Sequence, residues 1–126
     1  MAGTLVANTI NTDTGLFSTN NAYSGIAKAW VNFNGTAGTI RSSFNVSSIT
    51  TNSTGNYSIN FTTAMADANY AVCVTGGNTA NANIQPTVGN STNAPSYSTS
   101  AVKINFDNGG GTQCTPTYAN VSVFGN

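Results

Sequence analysis

The chain reads as an all-β protein: an antiparallel β-sandwich of jelly-roll type, with about eight strands and an N-terminal arm. Three observations predict this. Asn, Thr and Ser supply 53 of the 126 residues and Gly another 13, with only six charged residues. Disordered chains are usually charged and poor in aromatic and β-branched residues, whereas this one carries 12 aromatics, with Val, Ile and Thr in alternation. β-rich segments also recur at close to the roughly 8–12-residue spacing of sandwiches and barrels. Between them lie Asn- and Gly-rich stretches, and both residues tolerate the positive φ that tight turns demand.

The segments, in order, are TLVANTI (4–10), IAKAWVNF (26–33), TIRSSFNV (39–46), NYSINFTT (56–63), NYAVCVTG (69–76), NANIQPTV (81–88), STSAVKINFD (98–107) and YANVSVFG (118–125). Turns are expected at Asn34-Gly35, NSTGN (52–56), GGN (76–78), GNSTNAPS (89–96) and DNGGG (107–111). No segment holds a 3.6-residue apolar period with caps, so almost no helix is expected.

Alternation assigns the faces. Tyr57, Ile59 and Phe61 share one face, as do Tyr70, Val72 and Val74, and Val102, Ile104 and Phe106. Ile40, Phe44 and Val46 should lie together opposite Arg41. One-sided strands of this kind belong to antiparallel sheets with one core face and one wet face. In the segment 26–33 the row Ala27, Ala29, Val31 and Phe33 opposes Lys28, Trp30 and Asn32. Trp30 therefore either covers the end of the core, with Lys28 passing beside it, or is an exposed binding aromatic. The first is the simpler reading.

Residues 1–25 differ from the rest. After 4–10 comes the polar stretch NTDTGLFSTNNAYSG, with isolated Leu16, Phe17 and Tyr23. A segment with no core of its own is an arm, and residues 26–126 form the sandwich domain. Leu5, Val6 and Ile10 suit addition of a strand to an exposed sheet edge, where main-chain bonds give affinity. Leu16 and Phe17 would bury beyond it.

The residue inventory bears on chemistry. There is no His and no Glu, and the carboxylates are Asp13, Asp67, Asp107 and the C-terminus. Glycoside hydrolysis needs two carboxyls facing one bond, and Ser or Cys nucleophiles need a base. The expectation is no catalysis, no cofactor and no metal. A Ca²⁺ site built from Asp107, Asn108 and loop carbonyls is outweighed by a plain hairpin turn. Lys28, Arg41 and Lys103 are too few and too scattered to neutralise phosphates, so no nucleic-acid partner is expected. No apolar run reaches the roughly 20 residues of a spanning helix, so no membrane insertion is expected. The start lacks the basic and apolar regions of a signal peptide, which points to synthesis in a cytoplasm.

Cys73 and Cys114 are the only cysteines and a candidate disulfide pair. Closing this loop of about 40 residues would contribute about 4 kcal/mol in the loop-entropy model. Cytoplasmic synthesis works against oxidation, and both states stay open. The seven N-x-S/T sequons are close to chance for this composition and carry no weight without a signal peptide. What Asn, Thr and Ser do supply is neutral donors and acceptors on wet faces, suited to sugar hydroxyls or to an interface without ionic terms.

Three blocks, KAWVNFNGT, IRSSFNVSSIT and YSINFTTAMADANYAV, resemble in order and spacing a β-module of tailed-phage virion proteins, notably from phages of cyanobacteria and marine bacteria. The resemblance covers about residues 26–76 and is best known at the distal ends of tail fibres. It implies a virion location after synthesis in the host cytoplasm, a framework role for KAWVNFNG with Trp30 packing, and no catalytic residues. A chain beginning at Met1 with a short arm and one module is expected to decorate a head shell, with the major capsid protein as its partner. The alternative is a tail-fibre or receptor-binding tip recognising a host surface glycan. Near-zero charge favours association. With Trp30, Tyr118 and Phe124 left over on second faces, it suggests a homotrimer.

Overall fold

The computed structural model describes residues 3, 9–12, 15–18, 25–77, 83–88 and 96–125. Every named element is a strand. β1 (Thr9–Thr12) and β2 (Gly15–Ser18) pair as a hairpin of their own. The sandwich is built from β3 (Ala29–Asn34), β4 (Thr39–Phe44), β5 (Val46–Ser53), β6 (Asn56–Phe61), β7 (Ala71–Gly77), β8 (Ile84–Val88), β9 (Ala101–Asn108) and β10 (Tyr118–Phe124). These form two four-stranded antiparallel sheets, in the orders β4-β3-β10-β7 and β5-β6-β9-β8.

The central strands supply the core as their alternation requires. Ala29, Val31 and Phe33 of β3 and Ala119, Val121 and Val123 of β10 are buried against Tyr57, Ile59 and Phe61 of β6 and Val102, Ile104 and Phe106 of β9. Each of the larger side chains contributes about 1.5–3 kcal/mol through burial. The rings meet edge to face: Phe33 with Tyr57 at 5.2 Å and Tyr57 with Phe106 at 6.0 Å between centroids. Edge strands bury less, and Ile40, Ile49, Val72, Val74, Ile84 and Val88 only partly close the core.

The all-β sandwich stands, with eight strands in its two sheets. The jelly-roll connectivity does not follow from this order. A jelly roll nests the chain as one rolled hairpin, so that first pairs with last, second with next-to-last, and inward from there. Here β3 pairs with β10 in that way, but β4 does not pair with β9 nor β5 with β8. Instead β3–β4, β5–β6 and β8–β9 are sequential neighbours within a sheet.

The expected segment 4–10 reaches the described residues only at its end, where Ile10 pairs with Phe17 and Asn11 with Leu16. The arm thus holds a hairpin where one strand and a polar tail were expected. Among the described residues that hairpin pairs with no strand of either four-stranded sheet. Leu5 and Val6 lie outside the described residues.

Asn34-Gly35 does not make a two-residue hairpin turn. Residues 35–38 form the turn, and the left-handed residue is Gly38, at φ 65°. Asn34 Oδ1 accepts the Thr36 and Ala37 N–H groups at 3.0 and 3.3 Å, which is the side-chain turn chemistry of Asn. Gly35 serves close approach instead: a Cβ there would lie 2.6 Å from the Pro116 carbonyl and 2.8 Å from the Tyr57 hydroxyl.

Candidate docking face

The outer face of the β4-β3-β10-β7 sheet follows from its registers. Asn32 pairs with Ser42 but Phe33 with Ile40, so Arg41 is an extra residue in β4. A bulge of one residue turns the following side chains over. Phe44, expected beside Ile40 and Val46 in the core, therefore lies on the outside, directly opposite Trp30. Phe44 is 54 % exposed and Trp30 39 %. Trp30 thus corrects the simpler reading: it does not cover the core but stands on the outer surface.

Three rows cross this face. The first runs Phe44, Trp30, Ser122, Cys73; the second Ser42, Asn32, Asn120, Thr75; the third brings Tyr118 opposite Gly77. In the second row the side chains form a ladder: Asn32 Nδ2 donates to Asn120 Oδ1 at 2.5 Å, and Asn120 Nδ2 to Thr75 Oγ1 at 3.3 Å. Each carboxamide NH₂ gives one N–H to this ladder and keeps a second. At the far end Arg41 lies over the Tyr118 ring, 4.7 Å from its centroid. It donates to the Phe33 and Thr117 carbonyls at 2.8 Å each, so its charge is spread over three partners. The face offers flat aromatic surface and neutral hydrogen-bonding groups.

The outer face of the other sheet is closed on itself. Asn52 Nδ2 donates to Asn56 Oδ1 at 2.8 Å and to Ser58 Oγ at 2.9 Å. Asn105 Nδ2 donates to both Asp107 oxygens at 3.0 Å, and Gln113 Nε2 to Asn105 Oδ1 at 3.2 Å. Asn56, Ser58 and Asn105 are buried. Among the described residues no buried side-chain nitrogen or oxygen lacks a partner. A fully paired network of this kind rigidifies the sheet.

The groups weighed for chemistry are placed as follows. Asp67 accepts the Asn69 N–H at 2.7 Å, and Asp107 holds the amide network just described. Asn108, weighed as a calcium ligand, directs its Oδ1 to the Gly110 and Thr112 N–H groups at 3.1 and 2.9 Å, the bonding of a turn. Cys73 is exposed in the outer row of β7, and Cys114 is half-buried where its N–H meets the Phe106 carbonyl beyond the other sheet. The candidate disulfide is not formed: Cys73 stands on the outer face of β7, while Cys114 lies in the segment after β9, bonded to that strand of the other sheet. Burial pushes the Cys114 thiol up, helped by the negative charge of Asp107, and disfavours the reactive thiolate. Burial also raises the Tyr57 phenol, against a hydrogen bond from Thr115, and it raises the Tyr70 phenol. No helix among the described residues is long and apolar enough to cross a membrane.

Alternation marked Trp30, Tyr118 and Phe124 as second-face aromatics, and the structure places all three on this face. Phe44 was missed, since only the bulge at Arg41 reveals its side. Comparison with known protein families, with curated proteins and with solved structures finds no match.

Proposed function

We propose that this chain is a non-enzymatic structural protein of a tailed-phage virion. In this reading it is a head decoration protein that docks on the major capsid protein and stabilises the shell. The virion setting rests on the resemblance of residues 26–76. The docking role rests on one observation: Trp30 and Phe44 stand side by side, exposed, next to the neutral Asn32–Asn120–Thr75 ladder, with Arg41 the charged group at the far end of the face. A few residues dominate the energy of protein interfaces, and large aromatics, Trp above all, are enriched among them and in the interface core. With three basic and three acidic residues in the whole chain, docking must rest on apolar burial and neutral hydrogen bonds.

The test is co-sedimentation with shells that lack the protein. The wild type should stay bound in about 1 M salt, where charges are screened beyond roughly 3 Å. The double variant Trp30→Ser/Phe44→Ser should keep its melting temperature within a few degrees and bind about 100-fold more weakly, by analogy with aromatic hot spots. Release of the wild type by moderate salt, or full binding by the variant, contradicts the reading.

The second reading is a receptor-binding tip, and one feature favours it: Trp30 flanked by the Asn32–Asn120 amides also suits a neutral sugar ring. Binding to host surface polysaccharide but not to shells, lost in the same variant, would select it.

A further inference from the structure

The four edge strands of the sandwich are not alike. β4 carries the Arg41 bulge and its charge. β5 carries two bulges, at Ser47 and Asn52, where its register against β6 shifts. β8 contains Pro86, which has no N–H to donate. Bulges, charges and prolines are the devices by which natural sheets block edge-to-edge pairing. β7 has none of them. Its sequence, AVCVTGG, lacks charge and proline, and it pairs with β10 through seven consecutive residues without a shift. Among the described residues its only strand partner is β10, and no other backbone hydrogen bond reaches it. Val72 and Val74, on its core side, are only partly buried.

We propose that β7 pairs antiparallel with β7 of a second copy of this chain, joining two four-stranded sheets into one continuous sheet of a two-fold dimer. The strand suits its own reverse. Centred on Val74, the pairing sets Ala71 against Gly77, Val72 against Gly76 and Cys73 against Thr75, small or β-branched residues throughout. No like charges meet, and a net charge of zero leaves no long-range repulsion between copies. Among the described strands of the two four-stranded sheets β7 is the single unblocked edge, and one such edge stops growth: an isologous contact uses the edge on both partners and closes that contact, whereas two open edges would propagate. This favours two copies where composition suggested three. It is independent of what the aromatic face binds, because that face stays outward on both halves.

Charge exchange at the exposed positions 73 and 75 tests it. In the pairing, position 73 of one copy faces position 75 of the other twice over. Sedimentation should find the wild type dimeric, with a dissociation constant at or below about 1 μM. Cys73→Lys/Thr75→Lys and Cys73→Asp/Thr75→Asp should each be monomeric, with unchanged far-ultraviolet circular dichroism. An equimolar mixture at low salt should recover a heterodimer. Should either variant fold poorly, Thr75→Cys alone gives a second readout. Mild oxidation should trap the dimer through a bond between Cys73 of one copy and the introduced thiol of the other, mapped by mass spectrometry. A wild type that is monomeric or trimeric overturns the proposal. So does a dimer indifferent to the lysines, or a Thr75→Cys protein that does not cross-link in this register.

Discussion

Gly55→Ala is expected to lower stability by about 4 kcal/mol, which for a chain of this size is a fall of roughly 15 °C in melting temperature. Two penalties add. Gly55 sits at φ 71°, where an L side chain is strained by about 1–2 kcal/mol. A Cβ there would also stand 2.6 Å from the Phe106 carbonyl oxygen and 2.7 Å from that of Cys114. These are backbone atoms and cannot swing away. Three segments converge at this turn, because Phe106 N–H donates to the Gly55 carbonyl at 2.8 Å and Cys114 N–H to that of Phe106 at 2.9 Å. Gly38→Ala is the control. Its φ of 65° carries the same conformational strain, but its nearest contact is Thr51 Oγ1 at 3.6 Å, so it should cost only about 1–2 kcal/mol. Equal losses for the two variants, measured by thermal or denaturant unfolding, would refute the convergence described here.

Asn45→Ala should cost about 3 kcal/mol. Asn45 is the non-glycine residue with positive φ among those described, at 54°, and it forms the corner where the chain leaves β4 for β5. Its Nδ2 donates to the Lys28 and Thr63 carbonyls at 3.0 and 3.1 Å, and its Oδ1 accepts the Thr63 N–H at 2.7 Å. One side chain thus ties the approach to β3, the crossing between sheets and the segment after β6. Each bond contributes about 0.5–1.5 kcal/mol, and alanine in the left-handed region adds about 1–2. Asn45→Gly should recover the conformational part but not the bonds, leaving a loss of about 2 kcal/mol. If glycine restores full stability in urea unfolding, the hydrogen bonds at this corner contribute nothing.

Much of the sandwich was legible because side-chain alternation is local. The rows at 57–61, 102–106 and 119–123 are buried as a period of two demands. β5 escaped because its sequence, VSSITTNS, turns only Val46 and Ile49 inward amid Ser and Thr, and two bulges break its period. The same physics hid half of the exposed aromatic pair. Arg41 looks like an ordinary outward residue, yet as an extra residue it reverses Phe44, and nothing local distinguishes the two outcomes. Sheet order was out of reach for another reason: it depends on which distant strands meet, so a jelly roll and the order found here share one pattern of strands and turns. Asn45 was visible only as one of seven sequons, and its left-handed corner is a consequence of the crossover it makes.

The aromatic pair and the open edge suggest a division of labour: one surface grips a larger partner while an edge joins copies. Neither uses charge. Assembly should therefore depend on temperature, through the apolar term, more than on ionic strength.

The most direct test of the decoration role is the number of copies per particle, counted by quantitative mass spectrometry of purified virions against the major capsid protein. The copy number should approach that of the capsid protein and fall to near zero for Trp30→Ser/Phe44→Ser. A handful of copies per virion, or none, would contradict it.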